Sequence, residues 1–486
     1  MTTTDAPGTR SALLAASSIV VLWLASPEPT RPQPFPADDA CTLFSGAALI
    51  SFAGDEVDAP TPDQDVLVCG TRIRAVGPSG SLEVPEGATR VDASGKVLMP
   101  GLFDGHVHLF APLDLDLNLA WGVTGVRNLF GNAFALNTRA QIEQGAIVGP
   151  RFFTAGPIVD GDPPIWPGSD AVTTAEAARE TVAKQAEAGY DFVKVYSLLR
   201  PDPFFAAIEA AHERGLMAGG HVPGSVPLED ATARGMDFIE HLTGFLPAAQ
   251  RDDSPYLALT PDERRATDRY EITRLQVEGF DPEKLPTVAG WMVEHGVWNI
   301  PTFVVIERIT ASAAQKQEWV ETHPQMRYVS GPTLSFWNPN NDFRLQDVSE
   351  EQLAARARSA ALHAPIVKAL HEAGAELMLG TDTPNPFVFP GYSVHEELQR
   401  FVEAGLTPWQ ALRAATVQPA RFLGQEEVFG RVAPGLEADL LLLDANPLEA
   451  IENTERVAGV MTRGRWLDRA ALDAKLAAVA KAYGKE

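Results

Sequence analysis

The chemistry of this chain starts at His106 and His108, which stand one residue apart in the run GLFDGHVHLF. Alternate residues of a strand face the same way, so both imidazoles would project together from one strand end. Neutral imidazole is a ligand for zinc and similar divalent cations. Alone the pair is weak, since histidines also occupy surfaces and cores. Four further residues change its weight. Lys194 lies inside the apolar run DFVKVYS, where an unpartnered ammonium is costly to bury. His221 is set near the end of LMAGGHV, His241 near the end of DFIEHL, and Asp382 ends AELMLGTD. Five segments thus carry a polar residue where a strand-like run stops, and the bland explanation must be invoked for each separately.

Tyr196, two residues past Lys194, shares its face and could donate to a carbonyl oxygen or a substrate carboxylate. Packing at a rim accounts for it equally well. Arg127 fits a substrate carboxylate or, more simply, a bridge between neighbouring strands. His212, His295, His323, His363, His371 and His395 fall in helix-like or loop segments and read as surface or capping residues.

These side chains need a scaffold that aims several strand ends at one point. Between residues 101 and 429 short apolar runs (VTGVRNLF, RFFTAGPIV, DFVKVYS, LMAGGHV, DFIEHL, VWNIPTFVV, AELMLGTD) alternate with helically spaced stretches such as TTAEAARETVAKQAEAG. Repeated β-then-α units predict a parallel sheet. With LMPGLFDGHVHLF the strand candidates number eight, as an α/β fold closed into a (β/α)8 TIM-like barrel requires, and its active face lies at the strands' C-terminal ends. Residues 41–100 and 430–470 share a different texture, short branched runs broken by Gly, Asp and Pro. They are expected to form one small β-sandwich from both chain ends, followed by a C-terminal helix over 471–486. Three segments rich in proline and aromatics, DGDPPIWPGS, GPTLSFWNPNNDF and PNPFVFPGY, are expected as loops on the active face after strands three, seven and eight. They either line an apolar pocket or pack on themselves. The helical stretch from Ile306 to Ala373 is a candidate lid or oligomer contact.

From residue 40 onward the chain resembles the amidohydrolase superfamily. The likeness rests on PGLFDGHVHL, KVY, the two later histidines, GTD, and the closing GLTPWQALRAATVQPARFLG and GRVAPGLEADLLLLDANPL. Within it the chain looks most similar to the imidazolonepropionase-related group, with its prolidase-like peptidases and ochratoxin amidohydrolases. The resemblance implies two divalent metal ions, zinc first among them. His106, His108 and Asp382 would hold one, His221 and His241 the other, with an N6-carboxylated Lys194 bridging both. It further implies hydrolysis of a small-molecule amide, a dipeptide or N-acyl amino acid with apolar or aromatic groups. A metal-bridging hydroxide would attack, and Asp382 would serve as acid-base. Lactone, ester or phosphotriester hydrolysis at the same centre is the alternative. Two departures stand out: Asn128 where relatives carry an aspartate after Arg127, and HVP after the fifth strand in place of His-x-His.

The 486 residues are 45% hydrophobic, enough for a large core. A net charge of -25 argues against nucleic acid or anionic membrane surfaces as partners. A homo-oligomer is expected. The apolar run Ser11–Ser26 before the proline-rich stretch Pro27–Pro36 gives residues 1–40 the look of a signal or anchor, predicting export, periplasmic or extracellular, or N-terminal membrane anchoring. Cys41 and Cys69 allow either one disulfide or two buried thiols.

Overall fold

A computed structural model describes residues 35–485 apart from 55, 58, 343 and 347, and of 261, 262 and 265 only the backbone. The expected signal or anchor segment therefore lies almost wholly outside the described residues. Among them, no helix is long and apolar enough to cross a membrane.

The two chain ends meet in one sheet. Five strands come from the front: β1 (Cys41–Leu49), β2 (Thr61–Cys69), β3 (Arg72–Pro78), β4 (Thr89–Asp92) and β5 (Val97–Pro100). Three come from the back: β15 (Leu440–Leu443), β16 (Val457–Thr462) and β17 (Arg465–Asp468). The order is β17-β16-β15-β5-β1-β2-β3, with β4 also on β1. The seam between the ends is the antiparallel ladder in which Leu440 faces Pro100 and Leu443 faces Val97. Alternate residues Phe44, Val66, Val68, Leu98, Leu440 and Leu442 pack together on one face. Cys41 and Cys69 are register partners and are joined in a disulfide, which settles the choice left open by the sequence. The C-terminal helix runs over Arg469–Ala482.

The intervening chain alternates strands and helices in an α/β fold with parallel sheets. One sheet is β6 (Leu102–Val107), β7 (Val123–Asn128) and β8 (Arg151–Thr154). The other contains β9 (Val159–Asp160), β10 (Asp170–Ala171), β11 (Phe192–Val195), β12 (Met217–Gly220), β13 (Phe238–Glu240) and β14 (Trp298–Ile300). Seven of the eight strand candidates are thus regular strands. β6, β7, β11 and β13 are buried along their whole length, as sheets covered on both faces require. The helix Ala175–Ala188 shows how the connections are specified. Thr174 caps its start by accepting from Ala177 N at 3.1 Å, Ala178, Val182 and Gln185 turn inward, and Gly189 at φ 85° ends it.

The eighth candidate, AELMLGTD, is not a regular strand. It pairs through single bridges, Leu377 with Asn299 of β14 and Thr383 with Val107 of β6. The reason is local. Leu379 N donates to Ala414 O, outside any ladder, and Asp382 takes a left-handed φ of 65°. Its carbonyls and amides still reach β6, with Gly105 N on Leu379 O at 2.9 Å and Asp382 N on His106 O at 2.7 Å.

Two further expectations need correction. β14 stops at Ile300, and the rest of VWNIPTFVV begins the helix Phe303–Thr310. GPTLSFWNPNNDF is not all loop, since Gly331–Trp337 is helical with Ser330 as its cap. Proline in the first turn of a helix is no breaker, because its missing N–H has no partner there in any case.

Candidate metal centre

The strand ends bring the predicted residues together. Asp382 Oδ1 lies 2.8 Å from His108 Nε2 and 3.3 Å from His106 Nε2, and Oδ2 lies 3.7 Å from His241 Nε2. His106, His241 and Asp382 present donor atoms all within 4.8 Å of one another. The His221 ring stands edge-on to His241 at 4.9 Å between centroids, and Tyr196 stacks on His221 at 3.9 Å. Lys194, on β11 opposite Gly219 of β12, is 1% exposed. Its charge bears on His106, His221, His241 and Glu240.

The imidazoles are aimed from behind. His106 Nδ1 meets Glu240 Oε2 at 2.6 Å, His221 Nδ1 meets Ser197 Oγ at 2.8 Å, and His241 Nδ1 meets Thr302 Oγ1 at 2.6 Å. With Nδ1 engaged outward, each ring keeps Nε2 for the centre, the arrangement in which imidazole binds a cation well. Glu240 is itself fixed by Arg127, whose Nη2 donates at 2.5 Å while its Nε donates to Gly105 O at 2.6 Å. Arg127 is fully buried over the rings of Phe238 and Phe422, so the strand-bridging reading holds and it does not face substrate.

Sequence reasoning passed over Glu240, Ser197 and Thr302. The signal for Glu240 was an acid inside the apolar DFIEHL, but neighbours on a strand ordinarily face opposite sides. Here the left-handed φ of 58° at His241 breaks that alternation, and both residues reach His106. Thr302 and Asp382 are left-handed too, at 52° and 65°. Such backbone costs on the order of 1–3 kcal/mol per residue and clusters where geometry is functional.

Close packing locks the frame. A Cβ on Gly380 would stand 2.8 Å from His106 Cβ, so no other residue fits beside that histidine. Buried Asp104 accepts from His106 N, Thr381 N and Thr381 Oγ1 at 3.1, 2.9 and 2.6 Å, tying β6 to the eighth segment. Asn128, one of the two departures, accepts from Leu109 N at 2.9 Å and donates to Thr154 Oγ1 at 2.9 Å, so it holds the chain just beyond His108.

Burial lowers His106 to about 4 and His241 to about 3, which keeps both neutral at pH 7. It also lowers Lys194 to about 8. Burial alone would raise Asp382, but the imidazoles of His106, His108 and His241 hold it below the usual carboxylate range. Burial pushes the Tyr196 hydroxyl above its ordinary value, so it remains a donor. Trp166 Nε1 donates to that hydroxyl oxygen at 2.9 Å.

The donor set fits divalent cations. Lys194 Nζ and His221 Nε2 are buried without a hydrogen-bond partner, a state native interiors rarely leave uncompensated. Neutral imidazoles with a carboxylate, at the ends of parallel strands, supply what zinc-like ions bind.

Not every expectation survives. His395 is fully buried between Thr454 Oγ1 and Trp121 O, and His363 is buried with Nε2 3.3 Å from His241 O. Both are core histidines, not surface or capping residues. The aromatics of two of the three loop segments pack on each other, Trp337 against Phe387 and Phe389, which is the self-packing alternative for those loops. The loop holding Ile165 and Trp166 reaches the cluster instead, where Trp166 Nε1 donates to the Tyr196 hydroxyl.

Comparison with known proteins gives a consistent picture. The sequence model of the amidohydrolase family matches residues 97–467. Ochratoxinase of Aspergillus niger is 24% identical over 425 residues, covering 73% of this chain and 72% of that protein. Imidazolonepropionase of Streptomyces avermitilis is 24% identical over 392 residues, covering 79% and 81%. Among solved structures, bottromycin amidohydrolase superposes with a TM-score of 0.72 at 25% identity, covering 91% of each chain.

Proposed function

We propose, for a chain that belongs to the amidohydrolase family and is a hydrolase, that it cleaves the amide bond of a dipeptide or N-acyl amino acid at a centre of two divalent cations. The observation that carries this reading is the set of buried, inward-facing donors without protein partners, Lys194 Nζ and His221 Nε2, beside three more ligand side chains on Asp382. His106, His108 and Asp382 would hold one cation, His221 and His241 the other, and Lys194 both. For that last role the Lys194 amine adds to CO₂ with loss of a proton, turning a cation into an oxygen-donor anion. Burial favours the free amine this step needs, since it brings Lys194 down to about 8.

When bound, the cations would polarise the scissile carbonyl and make water a nucleophile near neutral pH. Asp382 takes the proton from the attacking water on one carboxylate oxygen and delivers it to the departing amine. The Tyr196 hydroxyl, protonated and held by Trp166, donates to the carbonyl oxygen as charge gathers there. Glu240 and Thr302 keep His106 and His241 turned to the centre throughout.

The scaffold proposed for this chemistry is a closed eight-stranded barrel over residues 101–429, with the terminal sheet as a composite sandwich. The parallel bridges Ala155–Phe192, Asn299–Leu377 and Val107–Thr383 support closure, because they join the two parallel sheets at both margins. Export is proposed as well, on the apolar run Ser11–Ser26 and on a disulfide of the kind that persists in oxidising compartments.

The test is metal analysis of the purified protein beside a hydrolysis screen of N-acyl amino acids, dipeptides and lactones. About two metal equivalents and metal-dependent amide cleavage are expected. Protein without metal affinity, or turnover confined to lactones and esters, overturns the reading.

A further inference from the structure

Large apolar side chains left in water beside a functional centre mark a binding surface more often than not. Among the described residues Phe110, Ile165 and Leu198 are 58%, 45% and 50% exposed. Phe110 and Leu198 stand just past strands that carry candidate ligands, and Ile165 is next to Trp166, which bonds Tyr196. Phe110 follows His108 by two residues and its ring stacks on that imidazole at 6.3 Å. Leu198 follows Lys194 by four, and Ile165 lies in the loop between β9 and β10.

These residues are not scattered. Asp160, fully buried, accepts from Ile165 N at 3.0 Å on one oxygen and from Leu198 N at 2.8 Å on the other. A charge taken out of water is thus devoted to holding two backbones side by side. A Cβ on Gly161 would meet Leu198 O at 2.4 Å, so the two loops touch closely enough that only glycine fits. At its far end the same loop reaches Phe130, which stands edge-on to His108 at 6.3 Å. The outcome is an apolar crescent running from Phe110 past Phe130 to Ile165 and Leu198.

Its position relative to the reacting groups decides what it meets. Trp166, in the crescent's own loop, donates to the Tyr196 hydroxyl, the group proposed above to donate to the substrate carbonyl. The carbonyl belongs to the acyl half of an amide, whereas the proton from Asp382 goes to the amine half. We propose that Phe110, Ile165 and Leu198 form the wall that receives the acyl group, so that preferred substrates are amides of bulky aromatic or branched acids. This rests on the amide-hydrolase reading above.

The test compares kcat/KM for N-(2-naphthoyl)-phenylalanine and N-acetyl-phenylalanine. The wild type favours the naphthoyl substrate, and Ile165→Ser and Leu198→Ser each reduce the ratio by roughly tenfold, as loss of an apolar pocket contact does. Val293→Ser, at an exposed valine on the helix Leu285–His295, leaves the ratio unchanged. An unchanged ratio in both wall variants overturns the proposal. Calorimetry with 2-naphthoate, the acyl product, separates it from the activity claim. If no amide is cleaved but naphthoate binding weakens about tenfold in Leu198→Ser, the amide-hydrolase reading falls and the wall stands. Equal naphthoate affinity in the wild type and both variants removes the wall.

Discussion

Two polar clusters sit at opposite ends of the parallel strands, and they are built on opposite terms. At the start of β8, Arg151 donates from Nε to Asp439 at 2.5 Å and from Nη2 to Glu437, over the ring of Phe429. Asp439 also accepts from Arg463 N at 2.7 Å. There the Arg151 guanidinium meets two carboxylates, and the result joins a parallel strand to the terminal sheet. At the other end Lys194 and His221 bury donor atoms that no protein group answers. Burial of polar groups alone therefore says little about function. What separates the two clusters is whether the protein closes its own charge balance.

That contrast can be broken or sharpened by experiment. The largest effect is expected from Asp382→Asn. It should lower kcat by about a thousandfold or more if the carboxylate moves the proton, with metal content largely retained. A fully active Asn variant would remove the acid-base role. Arg151→Met should cost about 3 kcal/mol in urea unfolding, because it takes from buried Asp439 its ion-pair partner and leaves Glu437 only the exposed Arg72. The same variant should leave kcat untouched, and a loss of turnover there would erase the distinction between the two ends. Glu240→Gln should weaken metal binding by roughly 10–100-fold in chelator competition, with partial recovery in Glu240→Asp. A last effect concerns pH. In metal-free protein the folded Lys194 releases its proton near 8, while an unfolded lysine holds it to about 10.4. Between those values the unfolded chain carries more protons, so stability should climb as pH rises through that window. Lys194→Met should flatten the climb. Melting curves at either end of the window measure it, and an equal climb in both proteins would place Lys194 in a less buried setting.

The candidate ligands were legible in the sequence because polar residues at the ends of apolar runs have no cheap structural excuse. Their partners were not. Ser197 and Thr302 are hydroxyls of a kind found in any loop, and Glu240 was hidden by strand alternation that His241 interrupts. The pairing of the chain ends in one sheet was readable from shared texture, whereas its register was not. The eighth run was visible as an apolar stretch, yet its failure to form a ladder depends on Ala414, more than thirty residues further along. For the aromatic loops the sequence left two readings open. Composition cannot distinguish Trp337 and Phe387, which bury each other, from Ile165, which stands in water. His395 shows the same limit, since only the packing of Trp121 and Thr454 around it reveals a core position.

The seam between Pro100 and Leu440 has a consequence for how the protein is made. On the ribosome β5 emerges early, while its neighbour β15 is translated only after the whole set of parallel strands. Through that interval one edge of β5 stays open, and open edges invite pairing with other chains. Contacts between such distant residues also form slowly. A nascent chain stalled before residue 440 would offer a sticky margin to any passing strand, and overproduction is where that hazard should surface first, as aggregates seeded by the front sheet.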